Sequence, residues 1–442
     1  MLKPSLLALA LFATIYSSHV VANAAEIPAG FTPLFNGTDL SGWWGCETED
    51  PAKWKALPAE QLAAKKTASL TDIKAHWRVE NGELINDGKG LFLTTDADYG
   101  DFDLRLEYRT VAQADSGVYL RGIPQVQIWD TTEAGGKWNL GAKLGSGGLW
   151  NNPKEWAGRD PSVKADKPFG EWNRLRVVMV GERVTVWLNE QRVVDHVRLQ
   201  NYFAKDKAVP RSGPLQLQTH GGEIRWRQVI VKTLSTDEAN TILAAGGPDK
   251  PVTNAGFTRI FNGVDFTGWK GPLDEYQIID GAIVCRPGRG GTIHTTEIYK
   301  DFTVRLQFRL PAGGNNGLAL RYPGEGDTAY VGMCELQVLD NDSPKYAKLD
   351  ARQFHGSAYG MAAAHRGYLR PVGEWNYQEV SVRGSTIHVE LNGTVILDAD
   401  LSQITDFKSN SKHSGKDRKE GHFGFAGHDD SVPFREIFIR AD

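Results

Sequence analysis

The chain has 442 residues, 40% hydrophobic and 24% charged, and its 50 Lys and Arg against 54 Asp and Glu give a net charge of −4. This composition excludes a disordered chain, and the charge balance gives no reason to expect nucleic acid or an anionic membrane as partner. The length predicts two domains, or three small ones, each large enough for its own core.

The first residues are typical of an export signal. Lys3 precedes an apolar run over residues 6–16, and small residues follow at 22–25. The run is too short to anchor the chain in a bilayer, and no later segment looks like a membrane span. We therefore predict a signal peptide over residues 1–25, cleaved near Ala24 or Ala25, and export to the periplasm or the extracellular space.

After this leader the chain contains one pattern twice. Residues 30–43 (GFTPLFNGTDLSGW) return without gaps at 256–269 (GFTRIFNGVDFTGW), and GEWN at 170–173 returns at 373–376. Each copy is far longer than a solenoid unit, so these are tandem domains. We place them at residues 26–234 and 256–442, joined by a linker at 235–255 that starts with a short helix and becomes rich in Gly, Pro and Asp.

The dominant period inside each copy is two. Charged side chains along residues 101–109 alternate with an apolar set, which consists of Phe102, Leu104, Leu106 and Tyr108. Helical periodicity is confined to residues 58–66 and the linker. Short half-buried strands at this density predict an all-β fold, two tandem jelly-roll sandwiches. Such a sandwich often offers one concave sheet face to a ligand.

Three cysteines, Cys46, Cys285 and Cys334, lie far apart along the chain. Their odd number leaves at least one thiol unpaired in an exported protein. No CxxC or HExxH spacing indicates a zinc site. We expect all three to be small buried apolar residues.

In the first copy, residues 215–220 (LQLQTH) bury their leucines and present Gln216, Gln218 and His220 together on the opposite face. A rim loop at 145–152 and Trp129 add aromatic side chains that suit sugar rings. The ligand-binding residues that we predict in this copy are Asp115, Arg121, Gln125, Gln127, Trp129, Asp130, Asn151, Gln218 and His220.

In the second copy, His428 occupies the position of His220, and Glu335 shares a strand face with Gln337. A β-bulge would bring Asp340 round to join them. The first copy has Gln125 where the second has Glu335, and an amide can bind a substrate but cannot titrate. The two domains therefore need not share one role. A histidine at a strand end more often has a structural role than a functional one. Its recurrence in both copies makes a functional role easier to support.

Arg321 follows Asn316 on the predicted strand that precedes Glu335 in the chain, and Arg121 is its counterpart in the first copy. An arginine there suits a developing oxyanion or a pair of sugar hydroxyls, and a strand-face ion pair is the alternative. A second rim loop at 355–360 carries His355 and Tyr359. The ligand-binding residues that we predict in this copy are Asn316, Gln337, His355 and Tyr359.

Several motifs stand in the same order in both copies: F-N-G-x-D-[LF]-[ST]-G-W, S/N-G with a following Arg, E/Q-x-Q-x-x-D and G-E-W-N, with a late L-Q-x-H-G in the first. In this combination the chain resembles the 3-keto-disaccharide hydrolase domain family, twice over. The resemblance implies concanavalin A-like jelly rolls and activity on glycosides whose sugar is oxidised to a ketone at C3. The first copy departs at Gln125 and carries an insertion between Trp43 and Trp77.

The implied chemistry is proton abstraction followed by elimination. A ketone at C3 acidifies the C2 hydrogen, a base removes it, the enolate expels the C1 substituent, and water then adds back. The resemblance suggests Glu335 or His428 as the base, Arg321 on the C3 oxygen, and Asp340 as a fourth catalytic residue. A divalent ion held by histidine and carboxylate oxygens could replace or assist Arg321, and no other cofactor is implied.

Two other functions compete with this one. Jelly rolls are common scaffolds of non-catalytic carbohydrate-binding proteins. The run Glu335-x-Gln337-x-x-Asp340 also resembles the E-x-D-x-x-E strand of laminarinase-type endoglucanases, although retention there needs two carboxyl groups about 5 Å apart. We expect the chemistry in the second domain, with the first domain either a weaker enzyme or a substrate-holding module.

Overall fold

The computed structural model describes residues 27–205, 207–245 and 254–441, so the predicted signal peptide at residues 1–25 lies outside the described residues. Each half of the chain forms an eight-stranded and a five-stranded antiparallel sheet. Few helices interrupt them. The prediction of two tandem all-β sandwiches is confirmed, whereas the boundaries at 234 and 256 stay predictions.

The first half contains thirteen strands. They are β1 (Thr32–Pro33), β2 (Trp43–Cys46), β3 (Trp77–Glu80), β4 (Glu83–Asn86), β5 (Phe92–Thr95), β6 (Phe102–Thr110), β7 (Asp115–Leu120), β8 (Ile123–Trp129), β9 (Asn173–Val180), β10 (Arg183–Leu188), β11 (Gln191–Arg198), β12 (Gln216–Leu217) and β13 (Ile224–Thr233). The larger sheet has the order β3-β4-β13-β6-β9-β10-β11, with β1 on β13. The smaller sheet has the order β2-β5-β12-β7-β8.

The second half contains the next thirteen strands. They are β14 (Thr258–Arg259), β15 (Trp269–Lys270), β16 (Tyr276–Ile279), β17 (Ala282–Cys285), β18 (Gly290–Thr295), β19 (Phe302–Arg309), β20 (Asn315–Tyr322), β21 (Cys334–Leu339), β22 (Trp375–Arg383), β23 (Thr386–Leu391), β24 (Thr394–Asp400), β25 (His422–His428) and β26 (Pro433–Ala441). The sheet orders are β16-β17-β26-β19-β22-β23-β24, with β14 on β26, and β15-β18-β25-β20-β21. The sequence repeat is therefore a repeat of the fold, strand by strand.

The motif that opens each copy builds a turn. The Asn36 side-chain oxygen accepts the backbone N–H groups of Thr38 and Asp39 at 2.8 and 2.9 Å, and the Trp43 indole donates to the Leu34 carbonyl at 2.8 Å. The second copy repeats these contacts. This motif therefore stabilises the turn at the start of each sandwich.

The GEWN motif lies on the outer face of each eight-stranded sheet. Trp172 lies between two guanidinium groups, with Arg109 at 4.7 Å and Arg227 at 4.1 Å from its ring centroid. Trp375 is held in the same way in the second half. Cation–π stacking of this kind stabilises the sheet surface. This structural role explains why each copy has a tryptophan in the GEWN motif.

Four α-helices are present among the described residues: α1 (Pro51–Lys55), α2 (Ala59–His76), α3 (Thr236–Ala245) and α4 (Thr328–Val331). The helix predicted at 58–66 continues to His76. Only Ser69 and Ile73 of α2 are buried, so the sequence has too weak an apolar period to show how far the helix extends. Helices α1 and α2 form the insertion that separates Trp43 from Trp77. No helix in the described ranges is long and apolar enough to span a bilayer.

The three cysteines are buried, as predicted, and none of them forms a disulfide bond. Burial raises the pKa of the Cys46 thiol to about 12 and that of the Cys285 thiol to about 11. Thiols in this state are inert at neutral pH, so they serve as core residues.

The two halves are joined by charged contacts as well as by the chain. The Arg198 guanidinium lies 2.6 Å from the Glu182 carboxylate of its own half and 2.8 Å from Glu390 of the other half. Arg211 donates to the Val395 carbonyl at 2.6 Å. Arg198 of β11 therefore contacts β23 of the second half, and Arg211, in the loop between β11 and β12, contacts β24.

Candidate functional site

The five-stranded sheet of the second half turns a polar face outward. Along β21 the side chains of Cys334, Leu336 and Val338 lie in the core, whereas Glu335 and Gln337 point to the opposite side. Strand β20 pairs with β21 on one edge and with β25 on the other. Side chains from three adjacent strands therefore meet over one surface.

That surface is the floor of a cleft of about 260 Å³. Predicted residues Glu335, Gln337, Tyr359 and His428 all line it. The remaining lining residues are Asn315, Asp327, Ala329, Tyr330, Leu339, Tyr346, Leu349 and Gln353.

A histidine and a carboxylate are paired in this cleft. The His428 Nε2 lies 2.9 Å from Oε1 of Glu335, whose side chain is only 4% exposed, whereas the His428 side chain is 43% exposed. A Cβ at position 317 would collide with the Glu335 carboxyl group, so only a glycine there leaves room for it. The S/N-G motif thus creates the space for this pair.

The hydrogen bond that His428 donates to Glu335 raises the pKa of His428, although burial opposes the shift, and the charges of Glu335 and Asp327 add to it. A raised pKa means that the charged imidazolium stabilises the fold below about pH 6.5, and that this stabilisation is lost as the pH rises through the raised pKa.

We expect Glu335→Gln to lower the pKa of the His428 ring, since the amide removes the carboxylate charge that holds the proton. Histidine ring signals followed by NMR across pH 5 to 9 measure this directly. His294, whose pKa burial lowers, is the control and should keep its value. An unchanged His428 titration would show that the pair does not interact in solution.

Two neutral donors face the same cleft. The Asn315 side-chain oxygen accepts from Gln337 Nε2 at 2.6 Å, which leaves the Asn315 amide N–H groups available to a ligand. The Tyr359 hydroxyl accepts from Gln353 Nε2 at 3.1 Å, so its own proton can be donated. The cleft therefore combines a titrating pair with fixed donors.

Sequence reasoning missed several lining residues. Asp327 caps α4 by accepting the Ala329 N–H at 3.0 Å, and Tyr330 belongs to the same helix. Tyr346 and Gln353 lie in two short 3₁₀ turns after β21. Residues on irregular loops have no period that shows which way they face; the Asp-Thr-Ala cap at 327–329 was the only local signal of this helix.

Arg321 does not join the cleft, and its predicted role is corrected. It is 1% exposed, and its guanidinium donates to the carbonyls of Lys300, Gly384 and Arg418 at 2.7 to 2.8 Å and to Asp301 at 2.8 Å. The pairing of β20 with β25 is irregular beyond Ala319, and Arg321 has a φ of 47°, so the alternation breaks there. The alternative of an ion pair is the correct one.

Arg121 is corrected for the same reason. It is buried and donates to the carbonyls of Gly100 and Pro210 at 2.9 and 3.1 Å and to Asp101 at 2.9 Å. Both arginines therefore tie loops together inside their sandwiches.

Two of the three predicted aspartates, Asp340 and Asp130, are also structural. Strand β21 ends at Leu339 without the expected bulge, and the Asp340 carboxylate accepts the Gly313 N–H at 2.8 Å. Asp130 accepts the Gln113 N–H at 2.7 Å in the same way. Since both carboxylates hold turns, Asp340 supplies no second carboxyl group of the kind that the endoglucanase interpretation needs.

His355 and Asn316 are corrected too. His355 is 1% exposed and stacks on Phe308 with ring centroids 5.0 Å apart, and burial lowers its pKa to about 3. The fully buried Asn316 side chain accepts the Gly317 N–H at 2.9 Å. The loop with His355 runs along the edge of β21, which turns this ring inward while Tyr359 faces the cleft.

The first half has a corresponding cleft of about 210 Å³. Seven of its predicted residues line it: Asp115, Gln125, Gln127, Trp129, Asn151, Gln218 and His220. His220 Nδ1 lies 2.8 Å from the Asp115 carboxylate.

Within the described ranges, no group of three or more His, Cys, Asp or Glu side chains is arranged to hold a metal ion. The His428–Glu335 pair alone is too small a ligand set for a divalent ion. We therefore derive no chemical step through a metal.

The described geometry can be compared with known proteins. A family model described as the 3-keto-alpha-glucoside-1,2-lyase-like domain matches residues 30–232 and 256–440. The chain is 29% identical over 232 residues to a 3-keto-disaccharide hydrolase of Bacteroides thetaiotaomicron, covering 43% of this chain and 80% of that protein.

Solved structures with similar folds include a candidate glycosyl hydrolase from Parabacteroides distasonis, 23% identical, with a TM-score of 0.39 over 42% of this chain and 99% of that one. A carbohydrate-binding module of Bacillus subtilis is 17% identical, with a TM-score of 0.24 over 42% of this chain and 96% of that one.

Proposed function

The chain belongs to the 3-keto-alpha-glucoside-1,2-lyase-like domain family, and from that premise we propose that its second half cleaves glycosides whose sugar carries a ketone at C3. The family and its curated relative indicate a glycosyl-hydrolase-like enzyme. The observation that supports the finer proposal is the His428–Glu335 pair, held in a cleft of the size of a sugar. We also propose export, on the basis of residues 1–25.

The base in this proposal is His428. With Nε2–H donated to Glu335, the other ring nitrogen, Nδ1, has the lone pair that takes the C2 proton of the sugar. Glu335 holds the ring in this tautomer and stabilises the imidazolium that forms, as a buried carboxylate does for the histidine of a catalytic triad. The raised pKa of His428 makes it a stronger base once it is neutral.

Removal of the C2 proton places an electron pair in an enolate across C2, C3 and the C3 oxygen. Because Arg321 is engaged elsewhere, we assign the stabilisation of this oxygen to neutral donors, the Tyr359 hydroxyl and the Asn315 amide. Each fixed donor of this kind is worth about 10²- to 10³-fold in rate.

The enolate then reforms the ketone and expels the C1 substituent, leaving a double bond between C1 and C2. The departing alkoxide takes the proton from the His428 imidazolium. Water adds to C1 and a proton returns to C2, so the sum of the steps is hydrolysis. No strong acid is required on the glycosidic oxygen.

The experiment that tests this function incubates the full chain with a 3-keto-glucoside and with its unoxidised parent, with and without chelator. We expect aglycone release from the oxidised glycoside alone, because only the ketone acidifies the C2 hydrogen. Release from the parent would contradict the proposal and favour a conventional glucanase, and binding without any release would favour a carbohydrate-binding protein. Loss of release on chelation would establish a metal requirement.

A further inference from the structure

We propose that the cleft of the first half is a separate sugar-binding site that holds an uncharged pyranoside without cleaving it. The inference deepens the proposed function, on which it rests only for the class of sugar. It depends on what differs between two clefts that are built from equivalent strands.

The carboxylate of the histidine pair has moved to another strand. Gln127 pairs with Gly117 as Gln337 pairs with Gly317, so Gln125 occupies the position of Glu335. In the same register Asp115 of β7 replaces Asn315 of β20. The first half thus has an amide where the second has its carboxylate, and a carboxylate where the second has an amide.

This move turns the histidine around. Ala319, the partner of Glu335, is four positions from Asn315 on β20, which is about 13 Å along a strand. Asp115 therefore reaches His220 from the other side and binds Nδ1, whereas Glu335 binds Nε2 of His428. The ring nitrogen that does not contact this carboxylate is therefore Nε2 in His220 and Nδ1 in His428. The Nε2 atom of His220 does not lie where the second cleft has its proposed base.

Asp115 is also fully engaged. Besides His220 it lies 3.2 Å from Lys137 Nζ and accepts from Gln127 Nε2 at 2.8 Å. Burial on its own would raise the pKa of Asp115, but the bonds and charges of His220 and Lys137 hold it below the ordinary value. A carboxylate that is satisfied by three donors is a poor base and cannot also orient a proton transfer.

The walls of the first cleft are nevertheless suited to a sugar. The oxygens of the Gln218 and Asn151 side chains are buried and have no hydrogen-bond partner among the described residues, and Gln218 is 6% exposed. Both residues line the cleft, so these oxygens can accept hydrogen bonds from sugar hydroxyls. In the second half Ala426 stands at the position of Gln218.

Apolar side chains complete this cleft. Trp129 and Trp150 form an edge-to-face pair with centroids 4.8 Å apart, and Tyr202 and Leu140 are exposed at the rim, at 42% and 54%. Aromatic faces beside amide groups bind the apolar face and the hydroxyls of a pyranose at the same time.

The test measures binding of methyl α-D-glucopyranoside to the full chain by titration calorimetry. We expect Gln218→Leu and Tyr202→Ala each to weaken one binding event by tenfold or more, and the surface variant Gln191→Leu to leave it unchanged. Tyr202→Ala changes only a rim side chain, so it remains informative if Gln218→Leu perturbs the fold. Binding that depends on Tyr359 of the second half, and on neither first-half residue, would overturn the proposal.

The absence of catalysis in this cleft is tested separately with the 3-keto-glucoside. We expect the Glu335→Gln variant and the Glu335→Gln/His220→Ala double variant to release aglycone at the same residual rate. A slower rate in the double variant would make the first cleft catalytic and refute the inference. If the wild-type chain releases no aglycone while Gln218→Leu still abolishes a binding event, the proposed function fails and this inference stands.

Discussion

The Glu335→Gln variant is expected to release aglycone from a 3-keto-glucoside about 10³- to 10⁴-fold more slowly than the wild-type chain. Glutamine keeps the volume of the side chain and can still hydrogen-bond to His428, but it neither fixes the tautomer of the ring nor stabilises the imidazolium. Loss of a comparable carboxylate from a catalytic triad lowers the turnover rate by about 10⁴. The rate is measured under saturating substrate.

Glu374→Gln is the matched control, because that side chain is exposed on the turn before β22 and lies outside the cleft. It should keep the wild-type rate. Thermal unfolding of both variants checks that the fold is intact. A Glu335→Gln rate within tenfold of wild type would show that the carboxylate does not support the base.

The Arg321→Met variant is expected to lose about 3 to 5 kcal/mol of unfolding free energy, because several hydrogen bonds of a charged donor, worth about 1.5 to 3 kcal/mol each, are lost together. Methionine fills much of the space, but the carbonyls of Lys300, Gly384 and Arg418 lose their buried donor and Asp301 loses its partner. Four acceptors on three loops thus lose the side chain that ties these loops together.

Urea unfolding followed by tryptophan fluorescence measures this loss, fitted with separate transitions if the halves unfold separately. The control is Arg259→Met in the same half, an exposed ion pair with Glu436, which should change stability by less than about 1 kcal/mol. If Arg321→Met retained full stability but lost activity, Arg321 would have the chemical role that the sequence first suggested.

The strand pattern made most of the fold predictable. Alternation placed Glu335 and Gln337 on one face, and the repeat paired His220 with His428; the structure has all four in the clefts. The repeated motifs at Trp43 and GEWN marked the tandem copies, although they hold the fold rather than bind a ligand.

The same rule failed where the backbone departs from an extended strand. Arg321 adopts a left-handed conformation, which only a glycine or asparagine would have signalled in the sequence. Asp340 follows the last residue of β21, where its carboxylate is used by a turn. Alternation predicts faces only within regular strands.

Loops account for what the sequence could not show. Asp327 and Tyr330 reach the cleft from the segment between β20 and β21, which has no hydrophobic period. The sequence shows an aspartate at position 115 and an asparagine at the equivalent position 315. The effect of this exchange on the histidine ring depends on the pairing of three strands, which the sequence does not show.

The central claim is that His428, supported by Glu335, removes the C2 proton of an oxidised sugar. Running the proposed cleavage of the 3-keto-glucoside in D₂O tests it most directly, with product analysed by NMR at early times and corrected for exchange without enzyme. The account predicts one deuterium at C2 of the released sugar, since the proton is removed and later replaced from solvent. A product that retains its C2 hydrogen would contradict it.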